Sequence, residues 1–454
     1  MRHVVSKNDI LWGYLSQFLT IGSNLLLLPF ILIYLSAEDI GVWYVFITMV
    51  SLVQLLEFGL LPTISRYISY IYAGANEILE GDVVTTEAEK INHKLLISVI
   101  HASKKIYLKL SIISFIVIFF GGTYYLSTLD YRGDTYDMYA SWCGYGLSTI
   151  ILFYFGYYNA MLKGRGDQTM LNKIVVISKL TSVFFTIPFL IMGFGLVSVA
   201  FGVLASAIVD RVLVRRAIDF KQYSLSMVLN PDSISTKDYT RVIWSKAKLM
   251  GLVQVGNFLT TRCSLFIVSS YIGLDAAAKY GFTLQVTSVA VIVASMYFGL
   301  QMPRLSSEHI RGDLYIVRKI FSKALGVSWA ILFLLCIFIM SVGPIFLSFF
   351  TKNVELLPTG ILCVFLTSAM LEMNHSLCTA FLTTKNKFDF AFPIFATGVL
   401  IVIFSYILGS MYGLWGVVIS QLLCQLLYNN WKWPLTVFSE LNMSFKDPIF
   451  SLKK

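Results

Sequence analysis

Apolar segments of about twenty residues recur along almost the whole chain and alternate with short polar stretches. A helix needs roughly 20 apolar residues to cross a bilayer core of about 30 Å, and its backbone groups must bond to one another there. About twelve segments meet this requirement. They cover residues 11–35, 41–62, 108–128, 138–162, 174–193, 196–214, 249–272, 279–302, 321–342, 357–382, 389–409 and 412–431. The pattern predicts an all-α integral membrane protein with about 12 transmembrane helices.

The basic residues predict how these helices are oriented. Cytoplasmic loops of membrane proteins carry an excess of Lys and Arg. With the N-terminus inside, the loops and flanks on the cytoplasmic side hold 31 of the 35 basic residues, all but Arg132, Arg262, Lys279 and Lys352. Both termini and the polar stretches 74–105 and 221–248 are therefore predicted to be cytoplasmic. The first of these stretches is expected to form an interfacial helix before the third span.

Composition supports the same class and excludes others. The chain is 57% hydrophobic and 13% charged, whereas soluble domains are about 25% charged. The net charge of +10 could suit nucleic acid, but the charges are spread over the loops, so no nucleic-acid partner is expected. Six cysteines are scattered through apolar segments without metal or redox spacing. They are interpreted as free, apolar packing residues.

Similar landmarks occur in the same order in both halves. Gln17 and Tyr34 match Gln254 and Tyr271 in spacing, and Phe58-Gly59-Leu60 with Pro62 matches Phe298-Gly299-Leu300 with Pro303. Six spans per half return the chain to its starting side. We therefore predict two parallel six-helix lobes, residues 1–220 and 221–454, related by an axis along the membrane normal. Transporters built in this way bind substrate between the lobes and work by rocking them.

Charged residues inside the spans are the main candidates for function, because each is costly in hydrocarbon. Arg262 lies near the middle of a span, and its forked donors suit a diphosphate. A structural ion pair with Glu57 or Glu372, or a snorkelling side chain, is the alternative. Glu57 and Glu372 are candidate ion-coupling carboxylates for H+ or Na+; structural hydrogen bonding is the alternative for both.

Five further residues are candidates for substrate contact. Arg66 and Lys279 lie at span ends, where topology anchoring is the alternative. Gln17, Gln254 and Asn257 could contact sugar hydroxyls or bond across helices. Asn374 and His375 are interpreted as helix contacts. The chain contains no phosphate loop, H-E-x-x-H or G-x-S-x-G motif, so neither an enzyme nor a cofactor is expected.

Several stretches resemble bacterial O-antigen and related polysaccharide flippases of the multidrug/oligosaccharidyl-lipid/polysaccharide (MOP) exporter superfamily. They are Gly13-Tyr14, Gln17, residues 25–29, 39–44 and 57–59, Pro62, Arg66, residues 162–165 and 273–280, and Gln285. The resemblance implies an inner-membrane protein with two six-helix lobes around a cation-lined cavity. It implies transport of an undecaprenyl-diphosphate-linked sugar unit from the cytoplasmic to the periplasmic leaflet. Membrane lipid and the pathway's polymerase and chain-length proteins would be its partners.

Two other functions remain open at this stage. A drug or small-molecule antiporter of the same superfamily, of the multidrug and toxin extrusion (MATE) type, would share the lobes and the repeat. A polymerase or ligase of lipid-linked sugars would be expected to carry a large outside loop with catalytic residues. The longest such loop here spans only about ten residues, around 127–137, which argues against the enzyme.

Overall fold

The computed structural model describes residues 7–57, 59–78, 83–85, 91–218, 239–345, 354–384, 389–444 and 446–450. Within these ranges the chain is almost entirely helical. The helices are α1 Lys7–Tyr34, α2 Ala37–Gln54, α3 Leu60–Tyr72, α4 His93–Ile116, α5 Thr123–Ser127, α6 Thr135–Tyr154, α7 Gly156–Arg165, α8 Gln168–Ile191, α9 Gly195–Ala217, α10 Tyr239–Thr261, α11 Ser264–Ile267, α12 Leu274–Arg311, α13 Leu314–Ser341, α14 Thr359–Thr383, α15 Ala391–Tyr412, α16 Leu414–Leu427, α17 Asn429–Glu440 and α18 Asp447–Phe450. The all-α membrane class predicted from the sequence is confirmed.

Nine stretches of the described chain are long and apolar enough to cross a membrane. Each coincides with one of the predicted spans. The remaining three predicted spans, 11–35, 138–162 and 412–431, correspond to α1, to α6 with α7, and to α16 with the start of α17. Helix α16 by itself is too short to cross the bilayer, because it has only 14 residues before it ends at Tyr428.

Two predicted spans are interrupted. The span predicted at 41–62 consists of α2, a 3-10 turn at Leu55–Glu57, and α3. Gly59 begins α3 with φ of 73°, a left-handed conformation that costs little only for glycine. The span predicted at 249–272 breaks at Arg262 and Cys263, whose amides share the Phe258 carbonyl at 2.8 and 3.1 Å. It ends in a π-helix at Val268–Ile272. Both stretches remain long and apolar enough to cross a membrane despite these interruptions.

The polar stretch 74–105 differs from the expected interfacial helix. Its first part forms two short antiparallel strands, β1 Ala75–Ile78 and β2 Val83–Thr85. Helix α4 begins only at His93, where the Asn92 side chain accepts from the Leu95 amide at 3.1 Å. This side-chain cap satisfies a backbone donor that the helix leaves unpaired. The polar stretch 221–248 lies outside the described residues except for the start of α10.

The chain divides into two compact units. Unit 1 comprises Met1–Leu35 and Met49–Gly251, and unit 2 comprises Ser36–Thr48 and Leu252–Lys454. The start of α2 belongs to unit 2, and the division into lobes 1–220 and 221–454 stays a prediction. The six-helix lobes and the symmetry axis stay predictions.

Each unit has its own apolar core. In unit 1, α3, α4 and α7 pack around buried residues such as Ile64, Tyr107 and Leu162. In unit 2, Phe321 on α13 lies between Phe298 on α12 and Phe381 on α14, with ring centroids 5.6 and 5.1 Å apart. Each unit also contains a partly open cavity whose lining includes polar side chains.

Candidate functional site

A polar cavity of about 330 Å³ lies inside unit 1. Its lining combines apolar residues with eight polar ones: Gln54, Glu57, Tyr107, Tyr145, Ser148, Thr149, Asn159 and Arg211. Cavities of this size and mixed lining are typical of binding sites for small ligands.

The helix break after α2 places Glu57 in this cavity. Its carboxylate accepts a hydrogen bond of 2.8 Å from the Tyr107 hydroxyl on α4, and it lies within electrostatic range of Arg211. Burial of a carboxylate is tolerated only when charge and hydrogen bonds compensate it. Glu57 is therefore held by the fold of unit 1 rather than left to solvent.

Arg211 on α9 is the other charge in this cavity and is only 9% exposed. One of its terminal nitrogens donates to the Phe155 carbonyl at 3.0 Å and to Asn159 Oδ1 at 3.2 Å. Its Nε lies 3.3 Å from the Asp210 carboxylate. That carboxylate accepts from the Ser178 hydroxyl at 3.4 Å and lies within electrostatic range of Lys179. The network contains two acidic and two basic groups, so its formal charge balances.

Sequence reasoning identified only one member of this network. Glu57 is recognisable because it is charged within a predicted span, and Asp210 and Arg211 share that property. Arg211 was instead counted among the cytoplasmic basic residues, because it lies near the end of the predicted span 196–214. It is in fact buried inside unit 1. Tyr107 and Asn159 carried no signal, because aromatic and amide side chains are common in helix contacts.

Unit 2 contains a second cavity of about 230 Å³. Glu372 on α14 lines it together with Thr287, Gln421 and Gln425. Among the described residues, buried oxygens of Glu372, Thr287 and Gln425 make no hydrogen bond. On the same helix, His375 Nδ1 lies 3.7 Å from Glu372 Oε2. Unbonded oxygens facing a cavity are rare in proteins and indicate room for a donor or a cation.

Arg262 lies at the break between α10 and α11 and is half-buried. Its guanidinium is within electrostatic range of the Tyr44 and Tyr280 hydroxyls. Tyr44 in turn donates to Gln285 Oε1 at 2.7 Å. Within the described residues of unit 2, Arg262 makes no ion pair with a carboxylate, Glu372 included. Three residues of this cluster, Tyr44, Tyr280 and Gln285, belong to the stretches that carried the family resemblance.

The other predicted site residues lie on several helices of the two units. Arg66 is exposed on α3, and Gln17 is exposed on α1. Gln254 and Asn257 are exposed on α10, three residues apart and so on one face. Lys279 forms an ion pair with Glu355, its Nζ 3.1 Å from a carboxylate oxygen. Asn374 accepts from the Trp329 indole at 3.1 Å, which joins α14 to α13.

Comparison with solved structures identifies the class of this fold. A MATE family multidrug resistance transporter of the MOP superfamily, in an inward-facing conformation, superposes with a TM-score of 0.71 at 14% identity, covering 94% of this chain and 95% of that one. The lipid II flippase MurJ, in an inward closed conformation, gives 0.63 at 14% identity and covers 98% and 90%. The MATE multidrug transporter DinF-BH gives 0.59 at 14% identity and covers 99% and 98%. No family profile and no curated protein sequence matches the chain. The chain therefore has the fold of the MOP superfamily, whose solved members here are transporters and a flippase rather than enzymes.

Proposed function

We propose that the protein is a flippase that moves an undecaprenyl-diphosphate-linked oligosaccharide. It would carry the repeat unit from the cytoplasmic to the periplasmic leaflet of the bacterial inner membrane by alternating access. The observation that carries this proposal is Arg262. A guanidinium in a span is costly without an anionic partner, and no carboxylate of the described part of unit 2 pairs with it. A lipid diphosphate would supply that partner in a bidentate geometry.

The exposed polar face of α10 supports the same function. Gln254 and Asn257 are exposed within a span, and amide groups facing lipid tails are unfavourable. We infer that this face borders water, where the amides contact sugar hydroxyls. Gln17 on α1 and Arg66 on α3 are exposed in the same manner and are proposed as further contacts. Lys279 is the weakest member of the set, because Glu355 already neutralises it.

Complementation in a strain that lacks the gene tests the role of Arg262. We expect Arg262→Ala to abolish surface polysaccharide while the protein remains in the membrane at normal abundance. Arg262→Lys should restore transport only partly, because an ammonium keeps the charge but loses the planar fork. Arg216→Ala removes an exposed basic residue at the end of α9 and serves as the matched control. Full transport by Arg262→Ala would refute the proposed role.

Glu57 and Glu372 are the proposed ion-coupling residues, because each lines a cavity in its own unit. Glu57 is hydrogen-bonded to Tyr107, whereas Glu372 has an unbonded oxygen. Glu372 is therefore the better candidate for binding H+ or Na+. In reconstituted vesicles, Glu372→Gln should remove the response of transport to an ion gradient, and Glu57→Gln should alter it less. Equal gradient dependence in Glu372→Gln and the unmodified protein would exclude Glu372.

A MATE-type antiporter of drugs is the second candidate function. The two cavity carboxylates favour it, since a cationic drug and an ion can compete for a carboxylate. Drug susceptibility of the same strain distinguishes the two functions. A flippase restores polysaccharide and leaves drug resistance unchanged, and an antiporter does the reverse.

A further inference from the structure

A third cavity, about 490 Å³ in volume, lies in unit 2 between the ends of α12 and α13. Tyr297, Gln301 and Arg304 line it from α12, at spacings of four and three residues that place them on one helix face. Ile316, Lys319 and Lys323 line it from α13 with a similar spacing. Ile320 and Tyr315, which is 76% exposed, complete the described lining. The described lining thus contains three basic residues, two tyrosines and no acidic residue.

Within the part of the chain that the structure describes, no acidic side chain neutralises the three cations in this cavity. The acidic residues nearest in the chain are Glu308, which pairs with Arg311 at 3.1 Å, and Asp313, which accepts from the Ile316 amide at 3.0 Å. Asp447 in the C-terminal segment pairs with Arg318 at 2.7 Å. Within the described residues, no carboxylate lies within ion-pair distance of Arg304, Lys319 or Lys323. The positive charge is therefore left for a ligand.

The position of the cavity indicates which class of ligand it binds. It lies where two apolar spans end and their connecting turn at Gly312 begins, on the side that the basic residues predict to be cytoplasmic. Lipid phosphates occupy this depth, and basic pockets between transmembrane helices on the cytoplasmic side bind anionic head groups. Tyrosine hydroxyls and the Gln301 amide add neutral donors, and aromatic rings favour the membrane interface.

We propose that this cavity binds the phosphate of an anionic phospholipid of the inner leaflet. The bound lipid would fasten the α12–α13 pair to the cytoplasmic face of the membrane. The inference rests on the proposed orientation but not on flippase activity, because Arg262 and the polar face of α10 are not part of this site. Binding can therefore be tested on purified protein whether or not transport is confirmed.

The test uses delipidated protein in detergent and phosphatidylglycerol as the probe, with retained lipid counted by native mass spectrometry. The site variant combines Arg304→Gln, Lys319→Gln and Lys323→Gln. The control combines Lys104→Gln, Lys105→Gln and Lys109→Gln, which removes the same charge from exposed positions on α4. One juxtamembrane cation contributes about fivefold to anionic lipid binding, so we expect the site variant to bind at least tenfold more weakly than the control. Phosphatidylethanolamine, which has no net charge, should bind equally to the site variant and to the control variant.

Other outcomes would overturn the proposal. Equal losses in both variants would mean that the lysines act only as diffuse surface charge. No loss in either would mean that the cavity does not hold lipid. A third arm uses farnesyl diphosphate as a soluble stand-in for a polyprenyl diphosphate. If the site variant loses this ligand but retains phosphatidylglycerol, the cavity belongs to substrate entry instead.

Discussion

Arg211 illustrates how a charge is accommodated inside this protein. It lies in a largely apolar helix, where a carbonyl, an amide and a carboxylate surround its guanidinium. Such pairs contribute little net stability when complete, but breaking one leaves a buried charge without compensation. Without Arg211, buried Asp210 would keep only the Ser178 hydrogen bond and the more distant charge of Lys179. Substitution of a residue in this network is therefore expected to destabilise the protein, whether or not the network takes part in transport.

Arg211→Met tests this. We expect a loss of about 3–5 kcal/mol in stability, since Asp210 stays buried without its partner. The change should lower the thermal unfolding midpoint in detergent and reduce abundance in the membrane. Arg216→Met, further along the same helix and exposed, is the matched control and should be nearly neutral. Equal stability of the two variants would show that Asp210 finds other compensation.

Asp447 provides a pH-dependent contact at the C-terminal end. The hydrogen bond from the Ser444 amide, together with Arg318, holds the pKa of Asp447 below its usual value. A carboxyl with a lowered folded pKa stabilises above its unfolded pKa, about 3.9, and loses that contribution as the pH falls further. We expect α18 to loosen below about pH 4, seen as faster hydrogen exchange of residues 446–450 after correction for intrinsic rates.

The control for that experiment is Asp447→Asn, in which the pH dependence should disappear and exchange should be fast throughout. The effect is expected to be small, because exposed ion pairs contribute at most about 1 kcal/mol. Unchanged exchange of the unmodified protein down to pH 2 would contradict the assignment.

At the level of helices, glycines determine how closely neighbours approach. Gly164 on α7 packs against α3, where a Cβ atom would lie 2.6 Å from Ile68 Cβ and 2.7 Å from the Ser65 carbonyl oxygen. Neither atom is at the flexible end of a side chain. The contact matters for the unit 1 cavity, because α7 also supplies Asn159, which binds Arg211.

Gly164→Ala should therefore separate α7 from α3. We expect a loss of about 1–3 kcal/mol, the usual range for overpacking, measured as a lower unfolding midpoint. Gly121→Ala is the matched control in the same unit, because a Cβ atom there meets nothing within 4 Å. A Gly164→Ala protein as stable as the Gly121→Ala protein would mean that the two helices shift at little cost.

At the two helix breaks, the sequence indicates the candidate site residues but not the local backbone structure around them. Glu57 is the last residue of the 3-10 turn that follows α2, Gly59 precedes α3, and Arg262 lies in the turn after α10. Charged and glycine residues in an apolar segment are visible in the sequence. The break itself was not predicted, because helical propensity and apolar length gave no reason for one.

The orientation of the whole molecule in the membrane stays a prediction. It rests on the basic residues, which the positive-inside rule assigns to the cytoplasm. Reporter fusions at Asp134, before α6, and at Gly312, between α12 and α13, should report opposite compartments. We expect Asp134 on the periplasmic side and Gly312 in the cytoplasm, with Gly166 between α7 and α8 agreeing with Gly312. Fusions at Asp134 and Gly312 that report one compartment would refute this topology.

The sequence alone determined the class of the protein, for a simple physical reason. Hydrocarbon thickness sets the length of an apolar helix, and lipid forces each helix to satisfy its own backbone hydrogen bonds. Both requirements act on each segment separately, so they can be read without knowing any neighbour. Helices α8, α9, α13 and α15 accordingly lie close to their predicted spans.

Only the tertiary structure decided which polar residues meet. Glu57 and Tyr107 are 50 residues apart, and Lys279 and Glu355 are 76 apart. Each pair forms because helix packing brings together two faces whose relative rotation no single segment encodes. A charged residue in an apolar segment indicates that some partner compensates it, but the sequence does not identify which of several possible partners does so. The free energy of packing the surrounding apolar side chains selects among them, and that energy belongs to the whole fold.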